Sequence, residues 1–146
     1  MAAFNKFQGF VEHLAEKVHN LETDSLKIAL SNTAPNAALT TVNTILASIT
    51  QITAANGYVA GGNAVGAVTS AQTTGTYKLT ATGDVTFTAA GGSIGPFQYA
   101  VLYNDTPSAP AKPLIGWWDY GTGLTVTSGN TFTVDLDQTN GILTIT

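Results

Sequence analysis

The chain has 146 residues and no cysteine, and its five lysines and nine carboxylates, with no arginine, leave a net charge of -4. Disulfides, thiolate nucleophiles and cysteine-type zinc sites are excluded together, and there is no cationic field to hold a nucleic-acid backbone, so nucleic acid is not an expected partner. Only 10% of residues are charged against a usual share of about 25%, so solubility must rest on neutral hydroxyls and amides.

In chain order, the start MAAFNKFQGFVEHLAEK carries Lys6, Glu12, Glu16 and Lys17 where a secretory signal would need an apolar run, which points to synthesis in the cytoplasm. Phe4, Phe7, Val11, Leu14, Val18 and Leu21 recur at alternating spacings of three and four, the stripe of an amphipathic helix. The expected layout is an N-terminal helical arm over residues 1–22 and a β-sandwich over 23–146, forming one domain. The stripe is too short for a coiled coil; it packs on the domain's own sheet or makes a helix-mediated oligomer contact.

After Leu21 the period changes to two. Leu26, Ile28 and Leu30 alternate with Lys27, Ala29 and Ser31, as in a half-buried strand. Residues 33–44, with Pro35, read as a loop, and ILASITQI fits a short helix or an irregular strand. The uncharged run from Ile28 to Tyr77 is broken by Asn, Thr, Gly and Pro35, so no membrane span is expected. Gly57 to Gly75 has few large apolar anchors, and any strand there is weakly specified, a segment that orders only against a neighbour.

From Asn56 onward short β-prone runs alternate with turn signals, the pattern of a sandwich or barrel. The expected strands are 76–82, 85–89, 97–103, 112–120, 124–127, 131–137 and 142–146. Asn140-Gly141 reads as a type I′ hairpin turn joining the last two.

The inventory for catalysis is thin. His13 and His19 lie six apart, about 120° around a helix axis, and do not share a face as metal ligands would; they read as a solvated flank. Asp135 and Asp137 project from one side of TFTVDLDQ, but the segment lacks the spacing and final acidic ligand of a calcium loop. AGGNAVGA, residues 60–67, has clustered glycines without the Lys-Ser/Thr of a phosphate loop. No metal, cofactor or catalytic residue is expected, and the chain does not read as an enzyme. In GWWDYG strand alternation places Trp117 and Trp118 on opposite faces, one in the core and the other covering an edge or meeting a partner. Tyr99 and Tyr103 share a face with Phe97 and Val101 and read as core.

At GPFQYAVLYND, residues 95–105, and KPLIGWWDYG, residues 112–121, together with the opening FNKFQGFVEHLAEKVHNL, then DSLKIALSNTAP and the ending TFTVDLDQTNGILTIT, the chain resembles small virion structural proteins of tailed bacteriophages. The resemblance covers most of the chain and is weakest over residues 57–75. It implies a mainly β fold, a β-sandwich or jelly-roll-like antiparallel barrel with the N-terminal helix. It also implies a non-enzymatic role decorating or cementing the capsid shell, with the major capsid protein as partner and a homo-oligomeric state, dimer or trimer. The protein would be made in the host cytoplasm and end in the virion. A tail or fibre module that binds a host-surface glycan is the alternative. Candidate partner contacts are Phe4 and Phe7 on the stripe, Pro35 in the 33–44 loop, Pro107 and Pro110 in the 104–112 loop, and Trp118.

Overall fold

A computed structural model describes residues 2–35 and 44–146. The chain begins with β1 (Phe4–Lys6), α1 (Gly9–Ala15) and β2 (Leu26–Ser31), then makes a 3₁₀ turn (Leu46–Ser48), β3 (Asn63–Ala64) and β4 (Val68–Thr73). It continues with β5 (Thr76–Ala81), β6 (Val85–Thr88), β7 (Ile94–Asn104), β8 (Leu114–Val126), β9 (Thr131–Val134) and β10 (Leu143–Ile145). The protein is mainly β, with 46% strand, one short α-helix and antiparallel sheets consistent with a β-sandwich. The sheets are five-stranded in the order β1-β8-β7-β2-β3, three-stranded as β10-β5-β4, and two-stranded as β6-β9. No helix among the described residues is long and apolar enough to cross a membrane.

Alternation along the five-stranded sheet, with a register slip between the Leu102–Gly116 and Tyr103–Leu114 pairs that lets Ile115 and Trp118 share a face, sorts its side chains into two cores. On one face Ile28, Leu30, Ala100, Leu102, Ile115 and Trp118 meet Leu79, Phe87, Val134 and Leu143 from the smaller sheets and Leu136 just after β9. On the other face Ala29, Val101, Tyr103 and Leu114 are covered by Phe7, Leu46 and Ile49, with Trp117 packed alongside. The expectation of a half-buried β2 is therefore corrected: Ala29 and Ser31 are fully buried as well, because the 3₁₀ turn segment closes the second face.

The single helix expected over residues 4–21 is not formed. Phe4–Lys6 instead pairs antiparallel with β8, Phe4 opposite Trp118 and Lys6 opposite Gly116. The Phe4 and Trp118 rings meet edge to face at 5.1 Å, and a Cβ at residue 116 would overlap the Phe4 ring, so only glycine lets β1 lie there. Strand pairing and aromatic packing outweigh the local helical period. The helix that does form turns Phe10 inward and leaves Val11 52% exposed, so the stripe residue Val11 faces solvent.

Two further corrections have local causes. Register shifts on either side of Phe97 in the β7–β8 pairing are bulges that reverse side-chain direction, so Phe97 lies in the first core while Val101 and Tyr103 lie in the second. Asn140-Gly141 does not close a hairpin: β9 pairs with β6, and β10 with β5. There the Asp137 carboxylate takes the N–H groups of Thr139 and Asn140 at 3.1 and 2.8 Å, an Asx-type turn that redirects the chain between sheets. The expected strands 112–120 and 124–127 merge into the single β8.

The tight hairpin lies elsewhere, between β4 and β5, where Thr74 and Gly75 have φ of 50° and 86°, both positive as a type I′ turn requires.

Helix α1 ends in a Schellman motif: the Val18 N–H reaches the His13 carbonyl at 2.8 Å and the Lys17 N–H the Leu14 carbonyl at 3.3 Å. Lys17 holds the left-handed position, φ 63°, which costs a residue with a Cβ about 1 kcal/mol. Lys17→Gly is expected to stabilise the fold by up to about 1 kcal/mol, a rise of about 2–4 °C in melting temperature, measured by thermal denaturation.

Candidate functional site

The connection from β7 to β8 contains Pro107, Pro110 and Pro113, and its exposed tip is Ser108, Ala109 and Ala111. Its base is closed by backbone bonds: the Asn104 N–H to the Pro113 carbonyl at 3.0 Å, and the Lys112 N–H to the Pro107 carbonyl at 3.2 Å. The Lys112 carbonyl accepts from the Leu46 N–H at 2.9 Å, and the Leu114 N–H donates to the Thr44 carbonyl at 3.0 Å, tying the loop to the segment that covers the second core.

Side chains clamp the same loop against the turn before β2. Asp105 accepts Lys27 Nζ at 2.8 Å and Lys112 Nζ at 2.9 Å, and its N–H donates to the Ser25 carbonyl at 2.8 Å. The Ser25 N–H in return donates to Thr106 Oγ1 at 2.8 Å. Burial acts to raise the Asp105 carboxyl, but the hydrogen bonds and charges of the two lysines outweigh it and hold the group below its ordinary value. Two of the chain's five lysines are thus committed to one carboxylate.

Asn104, fully buried, joins this clamp to the end of α1. Its Oδ1 accepts the Thr106 N–H at 3.0 Å and its Nδ2 donates to Asp24 Oδ2 at 2.6 Å. With the amide so oriented, its nitrogen faces His19 Nδ1 at 3.2 Å, making Nδ1 the acceptor and placing the ring proton on Nε2. Nε2 is buried without a partner among the described residues. Among the described residues no group of three or more His, Asp or Glu side chains could hold a metal ion.

His19 corrects the expectation of a solvated flank: it is 6% exposed. The chain reverses after Lys17, bringing His19 within 5.9 Å of His13 and 5.2 Å of Phe10 between ring centres. Burial and the neighbouring His13 lower its pKa to about 4, against the opposing pull of Asp24.

The sequence candidates divide between core and surface. Trp118 is 4% and Phe7 2% exposed, so both belong to the cores and leave the set of surface contacts. Phe7 lies 4.7 Å from Trp117, and the two tryptophans occupy opposite faces. Phe4 is half-buried on Trp118, and Pro107 and Pro110 sit together, half-buried, in the clamped loop. Pro35 is half-buried; the loop that follows it, residues 36–43, lies outside the described residues. The clamp itself was not legible in sequence, since Asn104 meets His19 and Asp24 across 85 and 80 residues.

Beside the loop a shallow groove of about 400 Å³ runs between Pro107–Ala109 and Glu16–Asp24. The carboxylates considered in the sequence are occupied locally, Asp135 by the Asp137 N–H at 3.0 Å and Asp137 by its own turn, and Asp119 likewise accepts from the Gln98 amide and the Gly121 N–H. The arrangement is suited to presenting a rigid loop. Comparison with family models, with curated proteins and with solved structures returns no match.

Folding lowers the His19 pKa from 6.5 to about 4, so between these values the unfolded chain binds a proton that the folded chain refuses. Stability is therefore expected to fall as pH drops from 6.5 toward 4, by up to about 1 kcal/mol per pH unit, with further loss below as Asp105 protonates. Urea midpoints from pH 8 to 4 test this. His19→Asn, which does not titrate, is expected to flatten the slope.

Proposed function

We propose that this chain is a non-enzymatic virion structural protein of a tailed bacteriophage, a jelly-roll-type sandwich that decorates the capsid shell. It braces capsomer junctions by docking loops on the major capsid protein. The observation that carries this reading beyond the sequence resemblance is the clamped loop of residues 104–113: an exposed, proline-bearing tip whose base is held by two lysines, a buried asparagine and backbone bonds on both sides. Such a loop loses little entropy when it docks. An interface below about 1,200 Å² is weak alone, and a protein present in many copies or as an oligomer gains the missing affinity through avidity.

Sparse charge supports the same role, since few ions need be desolvated where the protein meets a shell. The alternative, a tail or fibre module that binds a host-surface glycan through Trp118 or its neighbours, draws no support from the Trp118 ring, which is packed between Phe4 and the first core.

Immunogold microscopy of particles from the parent lysate tests the assignment: regular labelling of heads is the expected result, and labelling of tails alone, or of no particle, would overturn it. The loop has its own test. Because the Lys112 N–H already lies 3.2 Å from the Pro107 carbonyl, deletion of Ser108–Ala111 can be rejoined at the base. The deletion is expected to abolish retention on purified heads while moving the melting temperature only slightly; equal losses in both would sink the docking role of the loop.

A further inference from the structure

Edge strands expose unpaired backbone groups, and proteins blunt them with charge, proline, bulges or short length. Most of the edges here are blunted. β1 ends in Lys6, β3 has two residues and β10 three, and the four residues of β9 run directly into Asp135. β6 is covered by Asn63, whose amide bonds the Thr86 carbonyl at 2.8 Å. β4 is different: its six residues, VTSAQT, contain no charge and no proline and pair with β5 in unbroken register.

The ladder shows which groups are free. The two-residue turn makes Thr73 and Thr76 a hydrogen-bonded pair, and the Thr82 N–H on the Ala67 carbonyl, at 2.9 Å, continues the alternation at the other end. Residues 67, 69, 71 and 73 thus bond inward, and the N–H and C=O groups of Val68, Ser70 and Gln72 point outward. Among the described residues no backbone hydrogen bond from outside the ladder reaches these groups.

We propose that this edge pairs with the same edge of a second copy, antiparallel across a two-fold axis at Ser70, joining two three-stranded sheets into one. The occupant follows from the strand itself. An antiparallel two-fold pairing is self-complementary: Val68 meets Gln72 of the partner subunit, Ser70 meets its own copy, and every outward group on both strands is used. Any other symmetric register leaves part of the strand unpaired. No like charges meet along it, and the exposed side chains of Thr69, Ala71 and Thr73 are too small to hold a second strand away. The charge bonded to the strand is Glu22, which accepts Ser70 Oγ at 2.7 Å, while Lys78, opposite Ala71 on β5, donates to the Thr139 carbonyl at 3.0 Å. The two-fold brings both Glu22 carboxylates to one side of the sheet, so screening by salt strengthens the pair. This pairing is independent of the virion assignment; within that role it supplies two docking loops per unit.

Sedimentation of the full chain is expected to show a monomer–dimer equilibrium that shifts toward dimer with added salt. Because the chain has no cysteine, Ser70→Cys reports the axis: residues directly opposite in a hydrogen-bonded pair lie about 5.5 Å apart at Cα, within disulfide reach, and oxidation is expected to give a covalent dimer. Gln72→Cys, about 14 Å from its own copy in this register, is expected to give none. Ser70→Pro, which removes an outward N–H and leaves the β5 bonds intact, is expected to yield a folded monomer by circular dichroism. A native chain that stays monomeric at all concentrations, or equal cross-linking at 70 and 72, would overturn the proposal and leave the edge to a different partner.

Discussion

The pairing of β7 with β8 holds the rest of the molecule. These two long strands lie at the centre of the five-stranded sheet, and each neighbour is fastened to one of them: β2 to β7, β1 to β8. Their alternating residues supply both cores, so Trp117 and Trp118, one residue apart, bury against different partners. A sheet apolar on both faces must be covered twice. The smaller sheets cover one side, and Phe7 with the Leu46–Ile49 segment covers the other.

At the end where β7 turns into β8, apolar packing gives way to a polar clamp. Asn104 is the pivot, fully buried with its amide oxygen and nitrogen both bonded, and Asp105 next to it joins two lysines from different parts of the chain. Buried polar groups of this kind are costly unless paired, and here the pairing immobilises the loop. Among the described residues His19 Nε2 and His13 Nδ1 are buried without a partner, and burial lowers the pKa of the His19 ring beside the clamp. The proposed docking loop and the proposed self-pairing edge depend on different parts of the molecule. The loop stands on the five-stranded sheet, whereas β4 borders the three-stranded one.

Much of the β architecture was legible because strand period and turn chemistry are local. The strands expected at 76–82, 85–89, 97–103 and 131–137 form as Thr76–Ala81, Val85–Thr88, Ile94–Asn104 and Thr131–Val134, and the opposed tryptophans follow from alternation, whereas the reversal at Phe97 does not. The N-terminal helix could not. Phe4, Phe7, Val11, Leu14, Val18 and Leu21 have a helical period, yet Phe4 and Phe7 belong to strand and core because Gly116 leaves room for β1 beside β8. The bulges beside Phe97 and the Asx turn at Asp137 are set by the partner strand and by one side chain, neither of which periodicity reports.

By itself the sequence determined a mainly β protein without cysteine chemistry, a proline-rich loop after β7, and a shortage of charge, since all of these follow from composition and short-range pattern. Only the tertiary structure decided that Trp118 and Phe7 are core, that His19 is buried, that Asp105 unites Lys27 and Lys112, and that β4 is left as an open edge. Those outcomes rest on contacts between residues tens of positions apart, whose energies no local window contains.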